Sequence, residues 1–177
     1  RLIRFQKSFR EGPVMSAVEF EGRGKGLIAE IENNKNLCNL LKGIYLPIIL
    51  PQLEDLTDYG KTLEDIFLPA AKYAYERQFP GRKFNNYREN DLTGKVSIVP
   101  GTRHEQLIEK MKQGYVVAIY FPCSLQGFSI LASREQMATL PESLILAGGF
   151  DTASAMVMYP GILIRDWYTP GYDLSAL

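Results

Sequence analysis

With 177 residues, 46% of them hydrophobic and 23% charged, the chain can build one substantial core and is too apolar for wholesale disorder. Twenty Lys and Arg balance twenty Asp and Glu, which excludes a surface that is basic throughout but leaves room for a local basic patch. The longest apolar run, residues 44–50, is interrupted by Pro47 and is too short to cross a bilayer.

The first ten residues, RLIRFQKSFR, lack the apolar stretch of a signal peptide and read as an arm that adds a strand. Val18 and Phe20 then alternate with Glu19 and Glu21, and Leu27, Ala29 and Ile31 resume the alternation beyond Gly22, Gly24 and Gly26. That pattern predicts an N-terminal β-hairpin with a Gly-rich tip. Leu37, Leu40, Leu41 and Ile44 predict a helix over residues 36–46, ended by Pro47 and Pro51. An acidic loop follows, with Glu54, Asp55 and Asp58, and it is the weakest seam in an otherwise single domain spanning residues 1–177 (seam at 52–61). Thr62 with Asp65 predicts the start of a second helix, whose apolar face carries Leu63, Ile66, Phe67, Ala70 and Ala74. Pro69 is expected to kink or split it, and Pro80-Gly81 to close it.

In the second half, residues 96–99 read as a short strand, and Thr102-Arg103-His104-Glu105 as a capping box opening a helix through Met111 to Gly114. Residues 115–121 predict a central strand covered on both faces. Further strands are expected at 127–132, 144–147, 155–159 and 162–164, with a short helix capped by Ser133 between the first two. The predicted class is therefore α+β: an N-terminal β-hairpin, a helical middle, and a mostly antiparallel C-terminal sheet packed with short helices.

The segment YAYERQFPGRKFNNY, residues 73–87, is the strongest functional signal. It interleaves rings with cations: Tyr73, Tyr75, Arg77, Phe79, Arg82, Lys83, Phe84 and Tyr87, continuing to Arg88, with Lys95 and Arg103 as further cations. Rings and guanidinium groups are enriched at protein interfaces, and the same pair of chemistries serves stacking and phosphate contact in nucleic-acid binding. The binding residues expected are Tyr75, Arg77, Phe79, Arg82, Lys83, Phe84, Tyr87 and Arg88.

Other motifs carry less. GRGKG fits neither the P-loop nor the dinucleotide fingerprint. His104 is the only histidine, so no two-histidine site exists; paired with Cys123 it would give a thiol enzyme, and Asp151 with Asp166 a carboxylate enzyme. The two cysteines, Cys38 and Cys123, lack metal or CxxC spacing and read as reduced thiols of a cytoplasmic protein, with no cofactor or metal implied. LILAGGFD and ILIRDWYTPGYDL loosely resemble the last strands of papain-like cysteine peptidases. Ala17, Ser143 and Asp166 would stand where that family has its cysteine, histidine and asparagine, so the resemblance implies no peptidase activity.

The expected function is a non-catalytic binding or assembly subunit acting through residues 73–88, with a protein partner or a second copy and no membrane. Trp167, Tyr168 and Tyr172 would offer a second contact. Nucleic-acid binding through the same segment, and the two enzyme pairs above, are the alternatives.

Overall fold

The computed structural model describes residues 1–12, 14–54, 56–165 and 172–177. Among these, helices dominate. In order they are α1 (Leu2–Phe9), α2 (Ala17–Asn33), a 3-10 turn (Cys38–Lys42), β1 (Leu46–Leu50), α3 (Tyr59–Thr62), a π-helical turn (Leu63–Phe67), α4 (Leu68–Gln78), α5 (His104–Gln113), β2 (Val116–Tyr120), α6 (Ile130–Gln136), α7 (Gly149–Met158) and α8 (Pro160–Leu163). One sheet of two antiparallel strands joins β1 to β2, pairing Leu46 with Tyr120 and Leu50 with Val116. The predicted α+β architecture with a C-terminal sheet is thus corrected to a helical fold around a single pair of strands.

The arm and hairpin predicted at the N-terminus are helices. In α1, Leu2, Phe5 and Phe9 turn inward while Arg1, Arg4, Lys7 and Arg10 recur every third residue. In α2, Ser16 caps the first turn by accepting the Glu19 N–H at 3.0 Å. Glu19–Arg23 and Glu21–Lys25 form ion pairs one turn apart, which offset part of the cost of three glycines in a helix. The buried stripe is Phe20 and Gly24, flanked by half-buried Leu27, Ile28 and Ile31, a helical period that the hairpin alternation masked. Gly22 and Gly26 are exposed, and an added Cβ meets nothing within 4 Å. Gly22→Ala and Gly26→Ala are therefore expected to stabilise the protein by about 0.5–1 kcal/mol each in urea denaturation. A loss at either position would contradict a helix there.

The first C-terminal correction has a plain cause. The strand predicted at 155–159 lies in α7, whose side chains are buried nearly all round, so the segment has no polar face to betray a helical period. Its small residues let α4 approach closely, and Ala70, Ala71 and Ala74 pack against Val157. Residues 162–164 fall at α8 and its end. Residues 127–132 run into α6, capped by Ser129 rather than Ser133, which is itself buried in the helix. Residues 96–99 and 144–147 have no regular structure and join no ladder; Val99 N–H instead donates to the Ala176 carbonyl and Leu146 N–H to the Thr102 carbonyl.

Two further boundaries move. Residues 36–46 give only the 3-10 turn before β1, so Pro47 sits inside a strand rather than ending a helix. The helix predicted from Thr62 begins at Tyr59, capped by Asp58. It runs on to Gln78 without a break because the π turn widens the helix just before Pro69, with Leu68 N–H bonding the Leu63 carbonyl. The expected strand at 115–121 forms as β2, but it is an outer strand of a pair and largely half-buried, not central.

A column of rings runs through the core. Tyr59 stacks on Phe150 at 4.0 Å and Phe150 on Phe67 at 4.3 Å; Phe9 meets Phe67 edge-on at 5.4 Å and Phe5 at 4.8 Å. It ties α1, α3, the π turn and α7 together, with β1 supplying fully buried Ile48, Ile49 and Leu50 alongside.

Candidate functional site

The basic-aromatic segment spans the last two turns of α4 and the loop beyond. Phe79 ends the helix, Gly81 takes a positive φ of 86°, and Arg82 N–H returns to the Phe79 carbonyl. The turn folds three half-buried rings together: Tyr75 lies 5.2 Å from Phe79 and 6.1 Å, edge-on, from Phe84. Phe84 also packs against the Ala70–Ala71–Ala74–Val157 cluster, and its N–H donates to Glu76. The Arg82 guanidinium covers Phe79 at 5.2 Å and donates to the Arg165 carbonyl. These rings are partly core and partly surface.

Beyond the turn the segment opens to solvent. Lys83 is exposed and Tyr87 is 92% exposed. Arg88 is exposed and pairs with Asp91 at 3.1 Å; Lys95 pairs with the same carboxylate, whose pKa is held below its ordinary value first by the Lys95 hydrogen bond. Arg103 does not join this surface. Its guanidinium donates to the carbonyls of Met137, Leu140, Pro141 and Leu144, clamping the loop after α6.

Sequence reasoning missed a neighbouring feature. Arg1 at the N-cap of α1, with Arg4 and Lys7 on the helix, faces Tyr73, Arg77 and Gln78 of α4 across a groove of about 320 Å³. The signal was present in RLIRFQKSFR: cations at every third position, opposite Leu2, Phe5 and Phe9.

The residues weighed for enzyme chemistry lie elsewhere. His104 is fully buried at the start of α5, and the expected capping box does not form there, because Arg103 takes a left-handed φ of 63° and Thr102 Oγ1 bonds the Val99 carbonyl. His104 Nδ1 donates to the Leu146 carbonyl at 3.2 Å, so Nε2 accepts from the Tyr59 hydroxyl at 3.1 Å. Tyr59 Oη in turn accepts the Gly149 N–H at 2.8 Å and the Phe150 N–H at 3.3 Å, capping α7. Asp151 accepts the Gly148 N–H at 2.9 Å; burial raises its pKa, against a smaller lowering from His104 and backbone N–H groups. Burial likewise drives the Tyr59 hydroxyl pKa upward. Both His104 nitrogens are thus engaged by groups other than Cys123, which is half-buried after β2.

Asp166, Trp167 and Tyr168 lie outside the described residues, as does Asp55. Tyr172 is half-buried and donates to the Leu163 carbonyl at 3.0 Å. The acidic residues near α3 serve the backbone: Asp58 accepts the Lys61 and Gly94 N–H groups, and Glu64 accepts those of Leu92 and Thr93. Among the described residues no three His, Cys, Asp or Glu side chains gather as a metal site requires, and no helix is long and apolar enough to cross a membrane. The described parts of the segments that resemble papain-like peptidases fold partly as α7 and α8 and form no strand. No protein-family model, curated protein or solved structure matches this chain.

Proposed function

We propose that the protein is a non-catalytic binding or assembly subunit whose contact surface is the turn carrying Tyr75, Arg77, Phe79, Arg82, Lys83, Phe84, Tyr87 and Arg88. The observation that carries this reading is the contrast within the turn. Arg82 over Phe79, braced by Tyr75 and Phe84, is held in place before any partner arrives, while Tyr87 stands almost wholly in solvent beside it. A rigid base with an exposed ring lowers the ordering cost of association. The partner tested first is a second copy of this chain. Cys38 and Cys123 are both free thiols, which supports a reducing, cytoplasmic setting.

Sedimentation velocity is expected to show a mass that rises with concentration, and Tyr87→Ala to weaken the association at least about ten-fold. A strict monomer at every concentration would remove self-association. Single-stranded nucleic acid is a second reading, favoured by the cations of the α1–α4 groove beside Arg77; affinity falling steeply with salt and cut by Arg82→Ala with Lys83→Ala would mark it.

A further inference from the structure

We propose that the groove between α1 and α4 binds a small phosphorylated ligand carrying a planar ring, of nucleotide type. Four cations, Arg1, Arg4, Lys7 and Arg77, line it together with Tyr73 and Gln78, and no carboxylate does. None of the four belongs to the ion pairs formed among the described residues. The three arginines are oriented instead by neutral groups. Arg4 donates to the Met158 carbonyl at 2.9 Å and to Gln78 Oε1 at 2.8 Å; Arg1 lies over Tyr159 at 4.7 Å and Arg77 over Tyr73 at 6.0 Å. Carbonyls and rings aim a guanidinium without neutralising it. The carboxylate of α4 beside this wall, Glu76, is occupied with the Phe84 N–H.

Like charges gathered in this way repel one another, although Lys7 and Arg77 each gain from lying in the last turn of a helix, near its negative end. A multiply charged anion removes that repulsion. Phosphate fits best, because guanidinium groups meet its oxygens two at a time. The volume selects the size of the ligand: about 320 Å³ stands at the small end of the clefts that hold single organic molecules. Tyr73, 41% exposed on the wall, supplies a ring for a base to lie against.

This site shares Arg77 with the contact surface proposed above, but Tyr87 does not line it, so Tyr87→Ala, which tests that surface, is expected to leave it unchanged. The experiment is titration of the intact protein with adenosine monophosphate, and separately with inorganic phosphate, followed by calorimetry and by NMR shifts of α1 and α4. Saturable binding of the nucleotide is expected, about ten-fold tighter than phosphate because of stacking, with Tyr73→Ala removing that margin. Lys7→Gln with Arg77→Gln, both surface changes that leave the Arg4 bonds intact, is expected to weaken the nucleotide by at least about ten-fold. No saturable nucleotide binding at millimolar concentration overturns the proposal. So does equal affinity for phosphate, insensitivity to the Lys7/Arg77 pair, or binding of a long single strand without the mononucleotide.

Discussion

Replacing Tyr59 with Phe is expected to cost about 2–4 kcal/mol of folding free energy, a large part of a typical domain's stability. The ring would keep its stack on Phe150, so the loss reports the hydroxyl alone. That hydroxyl donates to His104 Nε2 and accepts two backbone N–H groups at the start of α7. Without it, two buried donors and one buried acceptor lose their partners at once, and each orphan costs roughly 1–3 kcal/mol before relaxation. Water has little room to substitute: a Cβ on Gly148 would lie 2.6 Å from the His104 ring and 2.8 Å from the Tyr59 hydroxyl. Urea unfolding of Tyr59→Phe, with an unchanged m-value, measures the effect. A loss below about 0.5 kcal/mol would mean that this node does not hold α3, α5 and α7 together.

Gly60→Ala is expected to destabilise by about 3 kcal/mol or to displace the loop at residues 92–95. Here glycine answers a close approach and not an unusual φ. A Cβ would sit 1.9 Å from the Leu92 carbonyl oxygen and 2.5 Å from its carbon, and backbone cannot swing aside as a side-chain tip can. The loop is lashed down around that contact, with Leu92 and Thr93 N–H on Glu64 and Gly94 N–H on Asp58. The Thr93 and Leu92 bonds hold Glu64 below the ordinary carboxylate pKa. Hydrogen exchange at residues 92–95, together with the melting temperature, checks the expectation. Wild-type protection with an unchanged melting temperature would contradict the close approach.

How far the sequence revealed this fold depended on which signal each segment carried. α5 was legible to its last residue because Leu107, Ile108 and Met111 share one face and Gly114 stops the helix. β2 was legible from its run of Val116, Val117 and Ile119, and the turn at Gly81 from its Pro-Gly pair. α2 was lost because the alternation around Gly22, Gly24 and Gly26 was followed in place of the Ser16–Glu19 cap and the stripe from Phe20 to Ile31. α7 hid its helical period by burying every face. The rings of the candidate surface were legible as a cluster, but not their division between core and solvent, since Phe84 folds back onto α4 through a turn whose path no periodicity encodes. The α1 cations were overlooked because the arm was read as a strand, which would have sent Arg1, Arg4 and Lys7 to alternating faces.

The pairing of β1 with β2 sets the order in which this protein can be made. The strands flank everything from α3 through α5, and the helix that seals the core, α7, follows both. During vectorial synthesis Leu46–Leu50 emerges long before Val116–Tyr120 can meet it, so an apolar strand waits with open edges while more than half the remaining chain is produced. Pro47, which donates no backbone hydrogen bond, interrupts that waiting edge and guards it against pairing with a neighbouring nascent chain.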